Sequence, residues 1–470
     1  MMKLQKSSWV RTGVALAAGV MLSACGALAP NNERPAAPVA QAWPASDVAV
    51  TGTGTPAAEL SWQRFYGSDA RLAELIRLAL ANNRDMRVAV LNVEQARALA
   101  GATDANRWPT INLGLQGSRS PNSAGNNVSS YQAGLQVSSY EVDLWGRLKN
   151  LSDAAGARYL ASSEGSRAAQ ISLVSGVASA YLAWVADSEM LKLTQDTLAS
   201  RVESLRLTQL KFDGGAASGL DLRAAESAYA ATLASLAQAK RNVAQDNNAL
   251  TLLVGQPLPA DLPAGRGLAA QSLADVPAGV PSEVLATRPD VLQAEALLMA
   301  ANANIGAARA AFFPSILLTT NYGTASSALS ELFKNSVWTL TGQALMPIFD
   351  AGRNQANLDS AKAAQGIALA QYEKAVQTAF REVSDGLAGR ATYGEQLQAQ
   401  GAQTRAEAER LKLTELRYNN GASNSLELLD AQRSSFAAEQ TLVQLRLAAL
   451  LNGVNLYKAL GGGVEVPKKG

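Results

Sequence analysis

Trp108-Pro109-Thr110-Ile111-Asn112-Leu113-Gly114-Leu115-Gln116 is where the chain changes its rhythm. A helix is expected over about Asp85 to Asn106, and Pro109 stops it, because proline disfavours helical geometry in the residue before it. Beyond Pro109 the apolar period is two, with Ile111, Leu113 and Leu115 on one face and Asn112, Gly114 and Gln116 on the other. The same junction stands 205 positions on as Phe313-Pro314-Ser315-Ile316, after a helix expected over about Asp290 to Ala311. There Ile316, Leu318, Thr320 and Tyr322 alternate with Leu317, Thr319 and Asn321. Each run leads into a Gly/Ser/Asn-rich loop, expected at 118–130 and at 323–327, and then into a second alternating run. In the first copy Tyr131, Ala133, Leu135 and Val137 oppose Gln132, Gly134, Gln136 and Ser138; in the second, Trp338, Leu340, Gly342, Ala344 and Met346 oppose Thr339, Thr341, Gln343 and Leu345. Each junction therefore opens a hairpin of roughly ten-residue strands with one apolar face and aromatics near the strand ends.

The repetition extends outward on both sides. Residues 146–255 fall on 352–461 at a shift of 206 without a gap, so Gly146-Arg147 lands on Gly352-Arg353, and Phe212-Asp213-Gly214-Gly215 on Tyr418-Asn419-Asn420-Gly421. Copies this long are a duplicated half-fold and not a stack of short repeats. The expected order is a signal peptide at 1–24, a lipid anchor and extended tether at 25–58, a first repeat at 59–270 and a second at 271–465. The hairpins fall at about 108–144 and 313–350, and the long helical hairpins at about 146–255 and 352–460. From Gly146 to Phe212 there is no proline, and such a helix spans roughly 100 Å. Leu191, Leu198, Leu205 and Phe212 recur every seven residues, matched by Leu397, Thr404, Leu411 and Tyr418, which predicts coiled-coil packing. The helical hairpins turn at Gly215 and Gly421, each followed by a capping-box pattern, Ser218 with Asp221 and Asn424 with Glu427.

Composition narrows the chemistry. The one cysteine, Cys25, follows Leu22-Ser23-Ala24 at the end of an apolar run that Lys3, Lys6 and Arg11 precede. That order is a secretory signal, and the run is too short to span a bilayer. A Cys after Leu-Ser-Ala resembles the bacterial lipobox, in which the thiol is acylated and the peptide is cut before it. The expected modification is a diacylglycerol and an N-acyl chain on Cys25, with no other cofactor and no disulfide framework. Residue Gly26 is not the Asp that favours inner-membrane retention, so outer-membrane sorting is implied. With no histidine the chain lacks a His general base, a Ser/His/Asp arrangement and an imidazole metal site, and no enzyme activity is expected. Removing the three leader cations from the 41 basic residues leaves 38 against 39 acidic ones, and nothing steers toward nucleic acid.

Four amphipathic strands cannot close a barrel alone, since about eight is the smallest number seen. Lipid leaves open strand edges unsatisfied, so strands that lie in a membrane require copies: two, three or four chains for eight, twelve or sixteen strands. A periplasmic scaffold carrying hairpins on soluble helices is the alternative.

Thr287-Arg288-Pro289-Asp290-Val291, then Ala294-Glu295 and Ala300-Ala301-Asn302-Ala303-Asn304-Ile305-Gly306-Ala307-Ala308-Arg309-Ala310-Ala311-Phe312-Phe313-Pro314-Ser315-Ile316, closely resemble the TolC/OprM-like outer-membrane efflux proteins, in particular their NodT lipoprotein branch. Asn83-Arg84-Asp85 and Tyr418-Asn419-Asn420-Gly421 through Leu429-Asp430-Ala431-Gln432 carry the same resemblance. The likeness implies an α+β membrane protein: a homotrimer whose twelve strands, four per chain, form one outer-membrane β-barrel continuing into a long periplasmic α-helical coiled-coil barrel. It also implies outer-membrane lipid around the barrel, a periplasmic adaptor (membrane fusion) protein and an inner-membrane RND transporter as partners. The family's periplasmic gate falls on Tyr418 and the acids Asp221, Glu427 and Asp430, while its arginine position is Ser423 here. Glu427 and Asp430 share a helix face, and repeated about a threefold axis they would make an acidic ring. Against that, Asp221 and Glu427 suit plain capping, Arg433 stands ready to pair with Asp430, and Tyr418 occupies a heptad position. Trp145 and Trp338 fit an interfacial aromatic belt or ordinary packing, and Gly461-Gly462-Gly463 reads as a flexible terminal run. The expected function is a passive exit duct for drugs or other small toxic compounds. A metal-ion channel of the same fold and a non-conducting structural lipoprotein are the alternatives.

Overall fold

The computed structural model describes residues 28–44 and 55–463. Cys25 and the signal-like segment lie outside the described residues, so the lipid anchor is without structural account. In chain order the elements are α1 (Trp62–Phe65), α2 (Ala70–Asn82), α3 (Arg84–Ala105), β1 (Ile111–Pro121), β2 (Asn127–Val142), α4 (Arg147–Asp213) and α5 (Gly219–Val254). There follow α6 (Pro281–Thr287), α7 (Pro289–Ala310), β3 (Ser315–Ser326), β4 (Ser336–Leu345), α8 (Arg353–Asn419) and α9 (Ser425–Ala459). They divide between two compact units.

One unit holds the described parts of Met1–Ala37, Leu91–Glu164 and Leu292–Lys374. Its sheet is antiparallel in the order β1-β2-β3-β4. The loop expected at 118–130 is shorter: the ladder runs on through Ser118↔Ser130 to Pro121↔Asn127. Likewise β3 takes up 323–326 of the second expected loop. Ser, Asn and Gly composition does not separate a polar strand from a loop once every backbone group has a partner across the ladder. The true turn is closed by Asn122, whose Oδ1 accepts from the amides of Ala124 (3.0 Å) and Asn126 (2.9 Å). At the helix-to-strand junction Trp145 stacks on Phe313 at 4.7 Å and donates from Nε1 to the Pro314 carbonyl at 2.8 Å, so this tryptophan is held by packing. Residues 28–37, expected as tether, contain no helix or strand, yet they are fastened to α7. Arg34 pairs with Glu295 (Nε to Oε2, 3.0 Å), Asn302 donates to Asn32 (3.0 Å), and Arg309 donates to the Leu28 carbonyl (2.7 Å).

The other unit holds the described parts of Pro38–Val90, Gly165–Val291 and Ala375–Gly470, and contains the principal core. Phe65 stacks on Tyr457 at 3.8 Å, and Leu72, Leu75 and Ile76, the helical stripe of α2, are buried beside Tyr181 and Leu182. Asp69 caps α2 by accepting from the amides of Arg71 and Leu72, and its other oxygen accepts from the Tyr181 hydroxyl at 2.8 Å, the Arg266 amide at 3.1 Å and Gln271 at 2.6 Å. Arg288 is buried with its guanidinium on Asp290, on Glu382 and on the Ala459 carbonyl, which locks the end of α9 to the start of α7. The run Gly461-Gly462-Gly463, expected as a flexible terminal run, is packed against the core. It is buried, Gly461 adopts φ +82°, and the Gly462 amide closes the end of α9 on the Tyr457 carbonyl at 2.9 Å. A side chain at Gly462 would stand 2.2 Å from the Tyr457 ring, so glycine is required for the close approach.

The seven-residue period of α4 survives with a different lining. Leu191, Leu198 and Leu205 are half-buried and Phe212 is exposed, while Thr194, Arg201 and Thr208, also seven apart, are the buried positions within 187–213. Thr194 and Thr208 tolerate burial because each hydroxyl donates to a carbonyl four residues back, at 2.8 Å. Small hydroxyl residues let neighbouring helices close up where leucine is too wide.

Candidate functional site

Two places are candidate sites: the sheet and the turns of the long helical hairpins. In the sheet the register aligns Leu113, Leu135, Tyr322 and Trp338 in one row across all four strands. Their exposures are 83%, 50%, 67% and 73%, and Ile111, Leu115 and Leu340 extend the same face. The opposite face carries the row Asn112, Gln136, Asn321 and Thr339. An apolar surface this continuous is unstable in water and suits lipid or protein. The backbones approach closely where Gly134 and Gly323 pair, since a Cβ on either would lie within 2.6 Å of the facing backbone. A register shift in β2 between Val137 and Tyr140, with Ser139 at φ +55°, inserts a bulge that the period-two reading does not reveal. Among the described residues β1 and β4 have no partner on their outer edges.

At the turns, Gly215 (φ +74°) and Gly421 (φ +73°) close α4 and α8 in left-handed caps. The first capping box is complete: the Asp221 amide donates to Ser218 Oγ at 3.2 Å, and the Ser218 amide donates back to Asp221 Oδ2 at 3.1 Å. The second is only half formed. Asn424 Oδ1 accepts from the Glu427 amide at 2.8 Å, but the Glu427 carboxylate takes the Ser423 hydroxyl and leaves the Asn424 amide alone. Ser423 therefore ties up the acid four residues on.

Asp221 reaches across as well, because Ser425 donates its hydroxyl to Asp221 Oδ1 and joins α5 to α9. Ser218, and then Ser425, hold the Asp221 carboxyl below the ordinary aspartate range. Tyr418 stands with its ring 4.0 Å from Lys211 Nζ, a cation–π contact between the ends of α8 and α4. Asp221, Tyr418, Ser425 and Gln432 line one cavity of about 220 Å³ between the two hairpins. Glu427 and Asp430 lie outside it. Asp430 accepts from Arg433 at 2.7 Å and from Arg410 of α8 at 3.2 Å, and these two cations, Arg410 foremost, hold its carboxyl below the usual range. The structure thus brings together two of the four expected tip residues and gives Asp430 a pair of counter-ions. Ser425, Arg410 and Lys211 were not legible as tip residues. The usable signal was spacing: Ser425, Leu428 and Gln432 fall on one face of α9, three and four residues apart.

The family model described as outer membrane efflux protein matches the chain twice, over residues 75–256 and 280–462. The chain belongs to the outer membrane efflux protein family. It is 45% identical over 454 residues to the antibiotic efflux pump outer membrane protein ArpC of Pseudomonas putida, covering 94% of this chain and 93% of that one. The toluene efflux pump outer membrane protein TtgC of Pseudomonas putida matches to the same extent, 45% over 454 residues, 94% and 93%. Among solved structures, the open state of the Neisseria gonorrhoeae MtrE outer membrane channel aligns with a TM-score of 0.85 at 40% identity, covering 93% of this chain and 98% of that one. This efflux protein is accordingly an outer-membrane channel with the fold of the trimeric channels: each chain supplies four strands to a twelve-stranded barrel that long helices extend.

Proposed function

We propose that this outer membrane efflux protein is the passive exit duct of a tripartite pump, receiving small apolar or amphiphilic toxic compounds from a periplasmic adaptor and an inner-membrane RND transporter. One observation carries the reading: a four-stranded sheet with an aligned apolar row and two open edges, which lipid leaves unsatisfied unless copies close the barrel. The antibiotic and toluene pumps to which its relatives belong support the cargo class. No catalytic step is assigned to the chain, and the transporter supplies the energy. Cys25 carries the lipid, which labelled palmitate reads directly.

The duct narrows at the helical turns, where Asp221, Tyr418, Glu427 and Asp430 form the gate. Asp430 acts there through its bonds to Arg410 and Arg433 rather than as a bare charge. Replacing Glu427→Ala together with Asp430→Ala leaves Arg410 on Glu407 alone, removes the tie between α8 and α9 and loosens the turns, so single-channel conductance in planar bilayers rises. Conductance equal to that of the parent protein removes the gate assignment. Protein that forms trimers and never conducts, even with these acids neutralised, replaces the duct with a structural tether.

A further inference from the structure

A cavity of about 740 Å³ lies in the second unit, bounded by α8, α9 and the segment 268–276, and is separate from the cavity at the hairpin turns. Its volume is in the range of small-molecule sites. Its wall is fixed in advance. Arg390 donates to the Val276 carbonyl and pairs with Asp275, both at 2.7 Å; the Ala274 amide bonds to the Phe65 carbonyl at 3.2 Å; and the Leu268 amide bonds to Glu189 at 2.6 Å. From α8 the positions Arg390, Gly394, Leu397, Gly401 and Arg405 present one face, four, three, four and four residues apart. The two glycines leave the space open: a Cβ at Gly394 would meet nothing within 4 Å.

Charge distinguishes this cavity from ordinary unfilled packing. Three guanidinium groups line it, from Arg390, Arg405 and Arg446, against the single carboxylate of Asp275. Arg390 takes that carboxylate, and neither Arg405 nor Arg446 forms an ion pair among the described residues. The remaining surface is largely apolar, from Leu273, Leu397, Leu450 and Leu456. Two cations without counter-ions above an aliphatic floor match a molecule with an anionic head and an apolar body. We propose that this cavity binds an anionic amphiphile, with the head on Arg405 and Arg446 and the body over the leucines beside Gly394.

The test uses the assembled full-length protein in lipid nanodiscs, titrated with dansylaminoundecanoate against empty nanodiscs. Laurate and taurocholate serve as competitors and lauramide as the uncharged control. Displacement by laurate assigns a lipid-derived chain, displacement by taurocholate assigns a steroid detergent, and either supports the site. Lauramide competing as well as laurate overturns it, as does failure of both acids. In Arg405→Gln with Arg446→Gln the probe affinity falls about tenfold or more. In Gly394→Leu binding is lost with no change of charge, and α8 persists because leucine is the better helix former. Unchanged affinity in either variant overturns the assignment. Absence of probe binding to the assembled protein also overturns it, and indicates that a second copy covers this face. Conductance recorded on the same preparations reports on the duct separately.

Discussion

Arg201 is a cation at a buried position of α4 whose bonding partner is an amide, the Oε1 of Gln432 on α9; that amide donates in turn to Ser204 at 3.3 Å. Burial lowers the pKa of the guanidinium, but arginine stays charged, so the amide is what keeps the charge tolerable. Gln432→Leu strands that charge and costs about 1.5 to 3 kcal/mol, whereas Arg201→Met, which removes charge and partner demand together, costs less. Urea unfolding of the two variants ranks them, and equal losses would refute this account of Arg201. A half-buried acid sets a pH dependence. The Asp246 carboxyl is pushed up to about 6, first by burial and then by the neighbouring Asp187. An acid with a raised folded pKa binds its proton in the folded state first, so stability rises as pH falls from about 6 toward the unfolded value near 4. Asp246→Asn removes this slope and raises Tm at pH 8; a Tm profile identical to the parent's disproves it. At this scale the sequence was legible only locally. Asp221 and Glu427 were recognisable because a cap and its third residue stand three apart, and Asp430 with Arg433 likewise. The bonds of Asp221 to Ser425 and of Arg201 to Gln432 join residues 204 and 231 positions apart, and no local period encodes them.

The elements were more readable than their lengths. Proline marked the ends of α3 and α7, and the capped glycine turns placed α4 with α5 and α8 with α9. The shift of 206 maps α4 (Arg147–Asp213) onto α8 (Arg353–Asn419) residue for residue. The strands ran past their expected ends because polar residues were read as loop, and the bulge at Ser139 has no signature in a two-residue period. The same period did predict which side chains share a face, since the apolar sets of both hairpins fall in common rows across the sheet. Those rows depend on the Gly134–Gly323 pair. Gly323→Val places a Cβ 2.1 Å from the Ala133 carbonyl, which forces β2 and β3 apart at a cost of about 3 kcal/mol or more. The expected outcome is loss of the trimer band on unboiled gels. Gly342→Val, where a Cβ would meet only a leucine side chain at 3.6 Å, keeps it. A Gly323→Val protein that still gives the trimer band contradicts the requirement.

For the whole molecule, duplication and strand number made the fold class accessible, because two hairpins per chain are too few for a closed barrel. What covers α3 was not accessible. This helix buries no residue and exposes Val88, Leu91 and Leu99, while its duplicate α7 buries Leu298, Ala303 and Ile305 and holds the N-terminal segment. Once duplicated, the two helices acquired different neighbours, which a self-comparison of the sequence does not register. The open edges of β1 and β4 have a further consequence, for genetics. Each ring needs every one of its edges sound, so a chain with a spoiled edge disables the partners it joins. With equal expression of sound and spoiled chains, and random mixing, only about one ring in eight is built of sound chains alone. Alleles with damaged edge strands should therefore be dominant, whereas alleles that stop the chain from being made should be recessive.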